Sequence, residues 1–197
     1  MRYTVEISQE PLILEDFVKI NKIELAVADL PMTEKEFRSY ISQIGYVGKL
    51  VYLRKGGLNI VGPDNRRLLA GYIFYHQENK KFIFKSPLVI DKLAASPECV
   101  KIKTDPEVDL LREIKSALLS TVVARLYNSV TAEEIVFPVR ISNFELANFI
   151  KNSPFGSEQS KDGFKAFFEA KYFADGEDAC VFVFHKITRK QIAKPLQ

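Results

Sequence analysis

The apolar and polar positions of this chain divide it into short alternating segments and two well-marked helices. Arg2–Ser8 alternates with the two-residue period of a strand and opens the fold. Pro11 follows, and the stretch to Ile20 reads as a short helix or a loop. Lys22–Leu30 places Ile23, Leu25 and Val27 on one face, the pattern of a second strand. Thr33-Glu34-Lys35-Glu36 fits a capping box, in which hydroxyl and carboxylate each satisfy a backbone N–H left open at a helix start. Phe37, Tyr40, Ile41 and Ile44 then recur at helical spacing, and Gly45 supplies a stop.

Residues 46–90 read as an antiparallel meander. Tyr46–Arg54 is strand-like, Lys55-Gly56-Gly57 is a turn, and Leu58–Val61 follows. Gly62-Pro63-Asp64-Asn65 is a second turn. Leu68–His76 and Lys81–Ile90 flank the polar Gln77–Lys80, giving a further hairpin. Aromatic and β-branched residues dominate these strands, as a half-buried pleated surface requires.

The longest helix is expected from about Pro106 to Tyr127, capped by Thr104 or Asp105, with Pro106 in the first turn where it lacks no needed N–H. Val108, Leu111, Ile114, Leu118 and Val122 form one stripe. Leu110, Ala117, Leu119, Val123 and Leu126 widen it. So wide an apolar arc implies burial against the sheet on one side and against further chain or a partner on the other. Ile135–Ile141 is the next strand, placed at an edge by Pro138. Ser142-Asn143-Phe144-Glu145 repeats the capping-box pattern before a short helix through Ile150. Asn152–Gly163 has the composition of a mobile loop, the last hairpin pairs Phe164–Phe173 with Cys180–Ile187, and the basic tail 189–197 is expected to fray. These elements describe one α+β domain over 1–197: a largely antiparallel sheet, one long helix across it, and shorter peripheral helices.

Composition adds that 197 residues, 47% hydrophobic, suffice for a core without staples. Cys99 and Cys180 lie far apart among apolar neighbours. With His76 and His185 they make a poor zinc set, and a cytoplasmic, reducing setting is expected. The first residues carry no apolar leader, and no run approaches a membrane span, so no membrane association is expected.

Charge is uneven. Residues 51–104 carry 10 basic against 4 acidic side chains, whereas the flanking segments are slightly acidic. In a simple meander Arg54, Lys55, Lys80 and Lys81 gather at one sheet end. Lys49, Arg66, Arg67 and Lys85 lie nearer the other, interleaved with Tyr46, Tyr52, Tyr72 and Tyr75. Basic and aromatic side chains on a sheet can hold single-stranded nucleic acid.

Catalytic signatures are sparse. The sequence has no phosphate loop, no Gly-x-Ser-x-Gly elbow and no paired metal-binding histidines. The enzymatic alternative is a metal-dependent nuclease built from Glu169 and Lys171, two apart on one strand face, with Asp162 upstream. The sequence leans toward a non-catalytic binding or assembly module without cofactor or metal. Its partner is expected to be another protein or a second copy, with nucleic acid behind them.

Overall fold

Local chemistry sets the first helices, and one of them departs from the alternation read in the sequence. The computed structural model describes residues 3–28, 31–62, 67–78, 86–102, 108–153 and 163–186. β1 (Tyr3–Ile7) is the expected opening strand, but Asp16–Val27 form helix α1 where a strand over 22–30 was expected. Ile20, Ile23 and Glu24 are buried at helical spacing. Leu25 and Val27, which complete the misleading alternation, are 67% and 44% exposed. In α2 (Glu34–Ser42) the capping box forms: Glu36 N–H donates to Thr33 Oγ1 at 3.2 Å and Thr33 N–H to Glu36 Oε2 at 2.7 Å.

β2 (Tyr46–Lys55) turns through Gly56 and Gly57, both at positive φ as a two-residue hairpin requires, into the short β3 (Leu58–Asn59). β4 (Leu69–Gln77) follows, then β5 (Leu88–Ala95), a 3₁₀ turn at Pro97–Lys101, and the long helix α3 (Leu110–Asn128). β6 (Glu134–Arg140), α4 (Phe144–Lys151), β7 (Phe164–Glu169) and β8 (Ala179–His185) complete the chain. The strands form an eight-stranded, mostly antiparallel sheet in the order β1-β2-β4-β5-β6-β8-β7, with β3 on β2, so the α+β class holds. β5 starts later and runs further than the strand expected over 81–90, carrying Asp91 and Lys92 within it. Thr104, Asp105 and Pro106 lie outside the described residues, as do most of 152–163 and the whole tail 189–197. Asn152 and Ser153 are described. They close α4, with Ser153 buried and donating to the Ile150 carbonyl at 2.7 Å.

The chain divides into two compact units, Met1–His76 with Asp91–Thr121, and Gln77–Ile90 with Val122–Gln197. In the first, β2 lies between β1 and β4, antiparallel to both. Ile20, Ile23 and Phe37 of the first two helices pack with Leu50, Tyr72 and Phe74 of the sheet. Ile114 and Leu118 of α3 approach at Gly71. A Cβ there would stand 2.7 Å from the Ala94 carbonyl oxygen and 2.8 Å from Ile114 Cγ2. Because one obstacle is backbone, Gly71→Ala is expected to destabilise by about 1–3 kcal/mol, read as a lower urea midpoint. An unchanged midpoint would mean the strand and helix yield there.

In the second unit, β6 is parallel to β5, with Leu88 opposite Ile135 and Val89 opposite Val136, and antiparallel to β8 along its whole length. Pro138 is therefore in an interior strand and not at an edge. It lies past the last of these pairs with β5, where no N–H is required of it. β7 pairs with β8 alone and leaves Phe167 and Phe168 48% and 60% exposed. The N-cap of α4 is Asn143, whose side chain accepts from Leu146 N–H at 3.1 Å, in place of the expected Ser142.

Ser142 instead donates to Glu177 Oε1, from its hydroxyl at 2.7 Å and its N–H at 3.0 Å. Arg140 binds Asp175 and Glu177 and lies 4.1 Å over the Phe173 ring, fixing the β7–β8 connection. The Ser142 hydroxyl, then the Arg140 guanidinium, hold the Glu177 carboxyl down at about 2. A carboxyl depressed in the folded state stabilises above its unfolded value, and that contribution is lost as pH falls from 4.5 toward 2. Ser142→Ala is expected to raise the Glu177 titration midpoint in a carboxyl NMR titration; an unmoved midpoint would remove the hydroxyl as the main cause.

Candidate active site

The residues singled out from sequence do not assemble as expected. Asp162, Arg66, Lys80 and Lys81 lie outside the described residues. β7 ends at Glu169, and Lys171 sits beyond it with φ 52°, its N–H donating to Asp178 Oδ1 at 2.8 Å. The two therefore do not share one face of a continuous strand. Arg54 and Arg67, assigned to opposite sheet ends, converge on Glu6 at 3.0 and 2.9 Å. The short β3 hairpin returns the chain to the C-terminal end of β2 before β4 begins, which the simple meander missed. Lys55 lies 5.2 Å from the Tyr3 ring, and Arg67 stacks 4.1 Å over Tyr52. Tyr52, Tyr72 and Tyr75 are buried, so they offer no base-stacking platform.

A different group comes together in the first unit. The antiparallel register of β2 and β4 sets Tyr46 opposite His76, and their rings stack at 4.5 Å and 17°. Tyr40 of α2 packs edge-on against Tyr46 at 5.2 Å and, tilted by 31°, against Phe74 at 5.0 Å. His76 Nδ1 lies 2.8 Å from Asp91 Oδ2 of β5, both side chains about four-fifths buried. A carboxylate accepting from Nδ1–H fixes the imidazole's tautomer and leaves the lone pair on Nε2. Burial, then the Asp91 charge, raises the hydroxyls of both Tyr40 and Tyr46, so both stay protonated at neutral pH.

Next to Asp91, Lys92 donates to Glu24 Oε2 of α1 at 2.7 Å, and Met32 N–H reaches the same oxygen at 2.8 Å. Two consecutive β5 residues thus engage two different elements, Asp91 the neighbouring strand β4 and Lys92 the helix α1. Tyr40, Tyr46 and Phe74 also line a cleft of about 310 Å³, with Glu10 and Lys49 at its polar margin. Gly48 of β2 admits Leu12 to the same wall, since a Cβ there would overlap the Leu12 side chain. One wall of the cleft is thus aromatic, and its Tyr46 ring stacks on a carboxylate-oriented imidazole that does not itself line the cleft.

Other titratable groups are less suited to chemistry. His185 Nδ1 lies 3.3 Å from Glu134 Oε2 in the second unit. Burial pushes the Cys99 thiol up to about 12, too high for a nucleophilic thiolate. Among the described residues no helix is long and apolar enough to cross a membrane.

Sequence missed the dyad because His76 looks like a hairpin-end residue and Asp91 like the end of a strand. The one legible signal was Asp91-Lys92, two adjacent charges inside the apolar run Leu88–Ala95.

No family model matches the chain, and no curated protein matches it in sequence. Its fold is nevertheless that of solved acetyltransferases. Arabidopsis thaliana NAA60 in complex with a bisubstrate analogue is similar at a TM-score of 0.64 and 13% identity, over 93% of this chain and 98% of that one. The ribosomal-protein-S18-alanine N-acetyltransferase of Escherichia coli is similar at 0.59 and 17% identity, over 98% and 99%. A GNAT-family acetyltransferase from Bacillus cereus is similar at 0.53 and 13% identity, over 94% and 99%. Other similar structures belong to the NatC complex bound to Gag peptide and CoA, and to the NatB complex bound to CoA. A fold shared end to end with acetyltransferases overturns the reading of a non-catalytic binding or assembly module. It overturns the metal-dependent nuclease alternative as well.

Proposed function

We propose that this protein is an acyltransferase that moves an acetyl group from a thioester to a primary amine of a peptide or protein. The observation that carries the reading is the full-length likeness to N-acetyltransferases at TM-scores up to 0.64. The His76–Asp91 pair supports it chemically. An amine attacks a thioester carbonyl only when neutral, so a base must take the ammonium proton. Asp91 holds Nδ1–H, and His76 Nε2 accepts that proton. The amine nitrogen then bonds to the carbonyl carbon, the C–S bond breaks, and the thiolate leaves to be protonated. The tyrosines beside the histidine, kept neutral by burial, can donate hydrogen bonds near the developing charge. The aromatic cleft lined by Tyr40, Tyr46 and Phe74 would receive the acceptor, with Glu10 available to an ammonium group.

The test is transfer from acetyl-CoA and from S-acetyl-N-acetylcysteamine to a panel of unblocked peptides, followed by thiol release and peptide mass. Acetylated peptide with either donor is the expected result. No acetylated peptide and no thiol release above the uncatalysed rate with both donors would overturn the reading.

A further inference from the structure

A sheet edge presents a row of open backbone N–H and C=O groups, and charges, prolines or bulges usually keep other chains off it. β7 stands last in the strand order and, among the described residues, pairs with β8 alone. It is a regular strand, Phe164–Glu169, without a proline. Every side chain from Lys165 to Glu169 is exposed, Phe167 and Phe168 among them at 48% and 60%. Neighbours along a strand point to opposite faces, so the two rings lie open to water on both sides of the edge. Scattered apolar residues on a surface are ordinary, but two at the centre of an open edge are what strand addition buries.

The backbone decides which residues can take part. Gly163 O accepts from His185 N–H at 2.6 Å, in step with the register that sets Phe164 opposite Phe184 and Glu169 opposite Ala179. Backbone groups of an antiparallel strand face alternate sides, so the odd-numbered residues bond to β8, and Phe164, Ala166 and Phe168 turn theirs outward. A second β7 added antiparallel about a two-fold axis must match outward residues with outward residues. Near the middle of the strand the axis then falls at Ala166, Phe167 or Phe168. At Phe167 the strand is its own complement. Lys165 lies opposite Glu169 of the second copy, Glu169 opposite its Lys165, and Phe167 opposite its Phe167. These are pairs without backbone bonds between them, in which side chains approach most closely. On the other face Ala166 lies opposite Phe168, small against large, and these residues exchange the backbone bonds. With the axis at Ala166, Lys165 would meet Phe167; with it at Phe168, Phe167 would meet Glu169. One register of the three therefore pairs each charge with its opposite.

We propose that β7 is a self-association edge, which pairs antiparallel with β7 of a second copy about a two-fold axis at Phe167. The contact is isologous, so the Lys165–Glu169 pair occurs twice. One strand pair is small beside the roughly 1,200–2,000 Å² of a standard interface, so a dissociation constant of about 1–100 µM is expected. Sedimentation velocity of the full chain from about 1 to about 500 µM measures it. Lys165→Glu sets like charges opposite each other at both pairs and should weaken the dimer about tenfold or more, and Glu169→Lys should do the same. Both positions are exposed, so neither change disturbs the core. The decisive sample is a mixture of the two single variants, in which every opposed pair is again unlike. The mixture should associate about as well as the native chain, and so should the double variant Lys165→Glu with Glu169→Lys. A chain that stays monomeric at about 500 µM would overturn the proposal. A Lys165→Glu dimer within about twofold of the native constant, or a mixture that fails to associate, would overturn it as well, by placing the contact on another surface or in another register.

Discussion

His76→Ala is expected to lower kcat/KM for amine acetylation by about 10²–10⁴-fold, the usual contribution of a positioned general base. The expectation follows from geometry. The imidazole is held from one side by the Asp91 carboxylate at 2.8 Å and from its face by the Tyr46 ring at 4.5 Å. It therefore has little freedom to leave its position, and its Nε2 has a defined direction. Asp91→Asn keeps the size of the side chain but no longer selects the same tautomer, so it should lower the rate by a comparable factor. The diagnostic readout is chemical rescue: activity lost in His76→Ala should return in part with added imidazole. A variant within about twofold of the native rate at all pH values would remove His76 as the base.

Lys92→Met should cost about 3 kcal/mol of stability, the lower end of the range for stripping a buried carboxylate of its cation. Glu24 is 2% exposed, and its Oε2 receives both the Lys92 ammonium and the Met32 N–H. Removing the lysine leaves the N–H in place, and water reaches the site through the partly exposed Lys92 position, which moderates the loss. Changing both partners tests the assignment. Glu24→Gln with Lys92→Met should recover most of the stability, because the amide oxygen can still accept from Met32 N–H and no buried charge is left. Urea denaturation of the two single variants and the double variant gives the coupling. A double variant as unstable as the sum of the singles would show that the two groups act independently.

How far the sequence could be read depended on the range of the interaction involved. Thr33 and Glu36 meet within one turn, and the capping box was legible because nothing distant bears on it. Gly56-Gly57 was legible for the same reason. α1 was not, since Ile23, Leu25 and Val27 fit both periods and only the layer beneath decides which of them is buried. β5 failed similarly: Asp91-Lys92 looks like a strand end until Glu24 and His76 are seen opposite them. Pro138 pointed to an edge, and only the short parallel pairing with β5 shows how an interior strand tolerates it. The site itself is the least local feature of all. Tyr46, His76 and Asp91 lie on three strands: the register of β2 on β4 sets the first two opposite each other, and Asp91 reaches His76 from β5.

The buried position of Cys99 has a practical side. A thiol held near 12, with the half-buried Cys180 also raised, leaves almost no thiolate at neutral pH. Disulfide reagents and mild peroxide need thiolate, so the protein should store without reductant and without thiol cross-linking. The same inertness keeps it silent toward the reagents that detect a released donor thiol, which makes slow turnover measurable against a low background.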